Sequence, residues 1–132
     1  MKLTIERLAQ PSAAEMADLL KIWPQQSATQ LQQRLANAEI LLVARFNDHL
    51  LAGLWVTLDG HRGQIQQLQV RPVTRRRGVG RYLLEQTPLL VPEISVWEMD
   101  VRTAEAPTEL TAFLHACGWQ ARDANSWCPM TA

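Results

Sequence analysis

The sequence predicts an α/β chain: a mixed sheet with helices on both faces. Three observations carry that prediction. Two one-faced helical patterns stand near the start, apolar runs of strand character joined by polar turns follow them, and a strand–helix–strand succession runs through the middle. The 132 residues suit one domain, read as 1–132, since domains commonly run ~100–150 residues. The 47% apolar and 20% charged content is that of a folded chain rather than a disordered one.

Leu3, Ile5 and Leu8 suggest a short first strand. Ser12 and Glu15 are spaced as a capping box, hydroxyl and carboxylate each satisfying an amide at a helix start. The helix they open carries Met16, Leu19, Leu20 and Trp23 at helical spacing, and Pro24 stops it. Ser27 can cap a second helix bearing Ala28, Leu31, Leu35 and Ala38. The period then changes. Residues 39–47 and 50–60 are apolar, partly β-branched runs joined at Asp48-His49, a hairpin signal. After a turn at Asp59-Gly60, residues 63–70 form a third such run.

A helix starting near Gly78 carries Val79, Leu83 and Leu84, and Pro88 is expected to close it. Residues 93–101 read as a strand flanked on both sides. Pro107 suits a first helical position; Leu110, Phe113, Leu114 and Cys117 follow at helical spacing, and Gly118 suits the C-terminal cap. Residues 119–122 and 127–130 form a closing hairpin around 123–126. The expected order is β-α-α-β-β-β-α-β-α-β-β.

Composition excludes several function classes. No apolar run approaches the ~20 residues of a membrane span. The first residues lack the apolar core and cleavage pattern of a signal peptide, so a cytoplasmic location is expected. Two cysteines, Cys117 and Cys128, make no zinc framework, and no metal site is expected. Lys and Arg balance Asp and Glu at 13 each, which argues against a nucleic-acid binder, whose charge is more often basic throughout. The charge is unevenly placed, however: Arg71, Arg75, Arg76, Arg77 and Arg81 crowd one stretch that contains no acid.

That stretch lies between a strand ending at Val70 and the helix beginning near Gly78. A helix start presents unpartnered N–H groups and a positive dipole end. Gly78 and Gly80 permit close backbone approach and unusual angles, so the place suits an anion such as a pyrophosphate. Arginines can grip outlying phosphates, each charged hydrogen bond contributing roughly 1.5–3 kcal/mol. It is no Walker loop, lacking the Gly-Lys-Ser/Thr ending, and a third glycine is missing for a dinucleotide fingerprint. The plain alternative is a solvated basic turn.

Strand, then Arg75-x-x-Gly78-x-Gly80, then amphipathic helix resembles the acetyl-CoA-binding signature of the GNAT N-acetyltransferase superfamily. The resemblance implies the GNAT fold, with a mainly antiparallel central sheet and a CoA-binding cleft. It implies coenzyme A or acetyl-CoA as ligand, with Thr74, Arg75, Arg76, Arg77, Gly78, Val79, Gly80 and Arg81 around the pyrophosphate. Leu68, Gln69 and Val70 would meet the pantetheine arm.

Acetyl transfer to an amine needs a base and an acid near the thioester. Many members of this superfamily place a glutamate on the strand before the CoA loop, but here residues 63–70 hold four glutamines and no carboxylate. Many place a tyrosine on the later helix, where this chain has Phe113 or Leu114; its only tyrosine, Tyr82, lies in the CoA helix. Glu98 and Asp100 are weak candidates for the base, each with a plain reading as a sheet-edge or solvent-facing acid. His115 could serve as an acid or be a partly exposed helix residue, His49 and His61 fall in predicted turns, and Cys117 reads as core.

Residues 21–24 (KIWP), 44–47 (ARFN), 56–58 (VTL), 73–80 (VTRRRGVG) and 82–85 (YLLE) are similar to one branch of the superfamily, over roughly residues 1–119. It comprises the CoA-dependent maturation and regulatory factors of aspartate 1-decarboxylase. The match is thinnest at 25–40 and 86–110, and the tail from Gln120 departs from the pattern. The resemblance implies binding of the decarboxylase, both precursor and mature enzyme, by a chain monomeric when free, with Arg45 and Asn47 as partner contacts. Those two residues also read as ordinary strand-end polar side chains. In this branch CoA is a signal: the proteins promote self-cleavage of the precursor to the pyruvoyl enzyme, and with CoA they also restrain the mature form. The other reading is an active N-acetyltransferase on a small amine or a protein amino group.

Overall fold

The computed structural model describes residues 3–71, 78–101, 107–124 and 126–129. Its elements are β1 (Thr4–Arg7), α1 (Ala13–Ile22), α2 (Ala28–Ala36), β2 (Ile40–Phe46), β3 (His49–Asp59), β4 (Arg62–Val70), α3 (Val79–Leu90), β5 (Val96–Asp100), α4 (Pro107–Ala116), β6 (Trp119–Ala121) and β7 (Ser126–Pro129). This is the order expected from the sequence. The strands make one seven-stranded sheet, β1-β2-β3-β4-β5-β7-β6. Only the β4–β5 pair is parallel; every other pair is antiparallel.

Both faces of the central strands are covered, which is why β2 reads as an unbroken apolar run rather than alternating. Ile40, Leu42 and Ala44 pack with Val79, Leu83 and Leu84 of α3 and Leu114 of α4. Leu41 and Val43 pack on the other face with Leu19 and Ile22 of α1 and Leu31 of α2. Each fully buried Leu or Ile contributes roughly 1.5–3 kcal/mol of transfer free energy. Ser12 with Glu15, and Ser27 with Gln30, form complete capping boxes at the starts of α1 and α2.

Three local expectations are corrected. The β2–β3 turn is Asn47-Asp48, not Asp48-His49: both residues are left-handed, at φ 52° and 63°, and Phe46 already pairs with His49. Two left-handed residues in succession make the tight turn whose twist matches a hairpin, and Asn and Asp tolerate that conformation best. Pro88 does not close α3, which runs on to Leu90. Pro88 lies in the last turn, where one lost i→i−4 bond is tolerated; the neighbouring Thr87 hydroxyl donates to the Leu83 carbonyl at 2.8 Å, and the Val91 N–H to the Thr87 carbonyl. Finally, β5 is not flanked on both sides throughout. Trp97 and Met99 are buried, but Val96 is 45% exposed and Glu98 only partly covered.

The edge near β1 is tied by charge. Arg45 on β2 donates from Nε to Glu6 Oε2 on β1 at 2.7 Å, and its Nη2 meets Glu15 of α1. Asp18, buried in α1, accepts from the Leu50 N–H at 3.1 Å and holds the hairpin to the helix. The Ser12 N–H first, and the Arg45 guanidinium second, hold the Glu15 carboxyl below its ordinary value of 4.5. A carboxylate depressed on folding stabilises above its unfolded pKa, and the gain is lost as pH falls through the folded value. We therefore expect stability to decline below about pH 4.5. Glu15→Gln should flatten that decline, as urea midpoints measured across pH 2.5–6 would show.

Candidate functional site

The site is built where β4 ends and α3 begins. The β3–β4 register places Gly53 opposite Gln69 but Trp55 opposite Gln66, so β4 carries one residue more than β3 at this point. The irregularity centres on Gln67, a non-glycine residue at φ 55°. A bulge of this kind bends its strand and re-aims the residues beyond it, here Leu68, Gln69 and Val70. The parallel register between β4 and β5 runs from Arg62–Val96 to Ile65–Met99 and ends there, while β4 continues to Val70. The two strands thus part company at the end of the sheet where α3 starts.

Gly78 is the N-cap of α3, at φ 77°, and among the described residues no side chain caps the helix. Among the described residues a Cβ on Gly78 would meet nothing within 4 Å, so this glycine serves its left-handed backbone. Gly80 is different. A Cβ there would lie 3.1 Å from Val70 Cγ2 and 3.5 Å from Phe113 Cζ, so Gly80 lets the first turn of α3 seat against β4 and α4. Its smallness serves packing between protein segments, where the sequence suggested approach to a ligand. Leu68–Val70 and Gly78–Arg81, the first turn of α3 with its positive dipole end, are brought to one end of the sheet. Thr74, Arg75, Arg76 and Arg77 lie outside the described residues.

Arg81 is exposed and pairs with Glu85 one turn on, at 3.0 Å. Phe113, rather than the fully buried Leu114, brings a ring to this corner, and that ring carries no hydroxyl. Tyr82 points outward, 38% exposed.

Glu98 and Asp100 share one face of β5 and line an open groove with Arg62, Gln64, Arg122, Asp123 and Ser126. Glu98 Oε2 accepts from Arg122 Nη1 at 2.5 Å and lies 4.0 Å from Arg62 Nη1. Asp100 is 4% exposed. His115 and His61 are exposed, and His49 Nδ1 lies 3.5 Å from the buried Asp18. Burial pushes the Cys117 thiol up, against a smaller opposing effect of Arg81, so it is a poor source of thiolate. Arg45 is held by Glu6 first and by Glu15, both of which raise its affinity for its proton, while Asn47 is exposed at the hairpin tip. Among the described residues no group of three or more His, Cys, Asp or Glu could hold a metal ion, and no helix is long and apolar enough to cross a membrane.

Sequence reasoning passed over what supports the bulge. The Trp23 Nε1–H donates to the Gln67 carbonyl at 3.0 Å, and its ring lies where a Cβ on Gly53 would be, 2.6 Å from Cη2. A glycine amid bulky strand residues, and a tryptophan just before a helix-ending proline, were the available signals.

Residues 2–128 match the family model described as the acetyltransferase (GNAT) domain PanZ. The match passes the point near 119 where the sequence pattern thins. A protein of Escherichia coli K12 described as PanD regulatory factor is 45% identical over 122 residues, covering 92% of this chain and 94% of that one. A Salmonella typhimurium LT2 protein of the same description is 43% identical over the same shares. The solution NMR structure of E. coli YhhK bound to coenzyme A superposes with a TM-score of 0.84 at 42% identity, covering 98% of this chain and all (100%) of that one. PaiA N-acetyltransferase of Thermoplasma acidophilum, in complex with coenzyme A, superposes at 0.75 with 13% identity over 96% of each chain, a likeness of fold alone.

The two glycines predict different costs. Gly80→Leu should destabilise the fold by about 1–3 kcal/mol through overpacking against Val70 and Phe113. Gly78→Ala should cost about 1 kcal/mol from left-handed strain alone. Denaturant midpoints of the two variants check the order.

Proposed function

The chain belongs to the PanZ family of GNAT acetyltransferase domains, and on that footing we propose that it is a coenzyme A-responsive regulator of aspartate 1-decarboxylase. The observation that carries this reading is the near full-length likeness to two bacterial proteins described as PanD regulatory factors. In the finer form of the proposal, the chain with CoA or acetyl-CoA bound promotes self-cleavage of the decarboxylase precursor to the pyruvoyl enzyme. With CoA it also restrains the mature enzyme. CoA is made downstream of the β-alanine that the decarboxylase supplies, so the ligand reports on its own pathway.

The residues present fit the ligand. The first turn of α3, which no described side chain caps and where no described residue crowds Gly78, suits a pyrophosphate: it offers aligned N–H donors and a positive dipole end. Thr74, Arg75, Arg76 and Arg77 belong to the connection into that turn and supply cationic and hydroxyl donors for outlying phosphates. The stretch Leu68–Val70, turned by the bulge, offers backbone amide and carbonyl groups to the pantetheine arm. Bound there, CoA would supply a thiol or thioester. The exposed hairpin tip at Asn47, with Arg45 behind it, is the proposed contact for the decarboxylase.

The state of the carboxylates favours sensing over transfer. A base that takes a proton from an amine needs an available lone pair at the right place. Glu98 has its Oε2 engaged by Arg122 and bordered by Arg62, which fixes where its carboxylate points. The competing reading, an active N-acetyltransferase, rests on the groove that Glu98 and Asp100 line.

We expect the chain to co-elute with the decarboxylase precursor at micromolar concentration when CoA is present, and to speed its cleavage; no complex with CoA present would end the proposal. Gly78→Val should weaken CoA binding at least ~10-fold by calorimetry while keeping the fold, since a β-branched residue resists the left-handed N-cap. Free-thiol release from acetyl-CoA on adding amines, lost on Glu98→Gln or Asp100→Asn, would instead establish the transferase.

A further inference from the structure

We propose that Arg34, which belongs to α2 and stands on the far side of the bulge from the α3 corner, is a positioning residue for coenzyme A, acting through the backbone of Gln67. The inference rests on the reading of Leu68–Val70 as the pantetheine strand. Gln67 is held at φ 55°, a conformation that costs an L-residue free energy and persists where its surroundings over-determine it. Those surroundings are specific. Arg34 Nη1 donates to Gln67 Oε1, Gln26 Nε2 donates to the same oxygen at 2.8 Å, and Trp23 Nε1 donates to the Gln67 carbonyl at 3.0 Å. The end of α1, the connection to α2, and α2 itself therefore converge on one residue.

Arg34 is well fixed for this task. Glu39 grips it through two bonds, Nε to Oε2 at 3.1 Å and Nη2 to Oε1 at 2.8 Å. Its guanidinium lies 4.5 Å from the Trp55 ring centroid, and its side chain is 18% exposed. Nη2 also reaches Gln66 Oε1 at 3.2 Å, the residue before the bulge. A planar cation stacked on an aromatic face and chelated by a carboxylate keeps little freedom, so its donor to Gln67 arrives pre-oriented. Trp55 takes part through its π face alone, since its Nε1 is buried with no hydrogen-bond partner among the described residues.

If the anchors serve to hold a left-handed residue, glycine at 67 makes them unnecessary, because it adopts that conformation without a Cβ penalty. Alanine at 67 loses the same side-chain bonds and keeps the penalty. Calorimetric titration of CoA into the full chain tests this, with thermal melts as the control for folding. We expect Gln67→Gly to bind within about twofold of wild type, and Gln67→Ala and Arg34→Ala to bind about tenfold more weakly. Arg34→Ala/Gln67→Gly should recover wild-type affinity while its melting temperature stays lowered. Equal affinities for the Ala and Gly variants at 67, or a double variant as weak as Arg34→Ala, would overturn the inference. Should Arg34→Ala fail to fold, the two Gln67 variants decide alone. A wild-type chain that does not bind CoA would instead sink the reading of the site itself, and this inference with it.

Discussion

The hydrogen bond from the Trp23 indole to the Gln67 carbonyl joins the two halves of this molecule. On one side stand α1 and α2, folded by local capping boxes and an apolar face. On the other is the strand whose end meets α3. Three sequence choices make the bond possible. Pro24 ends α1 at Ile22, leaving Trp23 outside the helix to cross the sheet. Gly53 leaves the indole room to lie on β3. One extra residue in β4 turns a carbonyl toward it. A left-handed L-residue costs roughly 1–2 kcal/mol, whereas three hydrogen bonds, one from a cation, contribute about 2.5–6 kcal/mol. The anchors win, and the bulge stands as a fixed feature of the strand.

The same economy governs charge. The chain is neutral overall, yet its arginines have different fates. Arg34 and Arg45 are partly buried beside carboxylates and serve as internal ties between helix and sheet. Arg81 is balanced by Glu85 on an exposed turn, where a pair contributes little, about 0.3–0.5 kcal/mol. The run Arg75-Arg76-Arg77 contains no acid of its own, which leaves it the stretch best suited to an anionic ligand.

Much of the fold was legible because local signals agreed with one another. Ser12 with Glu15, Ser27, Pro107 and Gly118 mark helix ends through side-chain and backbone chemistry that acts over a few residues, and the structure keeps all of them. The change from helical to strand period gave the element order. Errors arose where a local rule met tertiary context. Pro88 is a helix breaker in isolation but costs one bond in a last turn packed on the sheet. The hairpin slipped by one residue because Asn-Asp is a weaker turn signal than Asn-Gly. Of the candidate site, the left-handed Gly78 was legible as a helix start, the packing role of Gly80 was not, and neither was the support behind the strand end. Trp23, Gly53, Arg34 and Gln67 lie far apart in sequence, and only the topology of β3 and β4 brings them together.

This arrangement also bears on why an acetyltransferase architecture suits a regulator. A carboxylate or imidazole that activates an amine as general base must stand within hydrogen-bond reach of the amine's proton. The acids of β5 are placed otherwise: Glu98, level with Gln64 on β4, is paired with Arg122, and Asp100 is almost wholly covered. The corner that could carry a phenol carries Phe113 instead, packed on Gly80. What the structure fixes firmly is a left-handed glycine opening a helix, a strand end re-aimed by a bulge, and anchors that hold the bulge from α2 and the end of α1. A binding device needs such rigidity and nothing further, since its output is the shape and charge of the occupied surface. Firm placement of a glycine, a strand end and a bulge is what a regulator asks of this fold, and it asks nothing of the acids on β5.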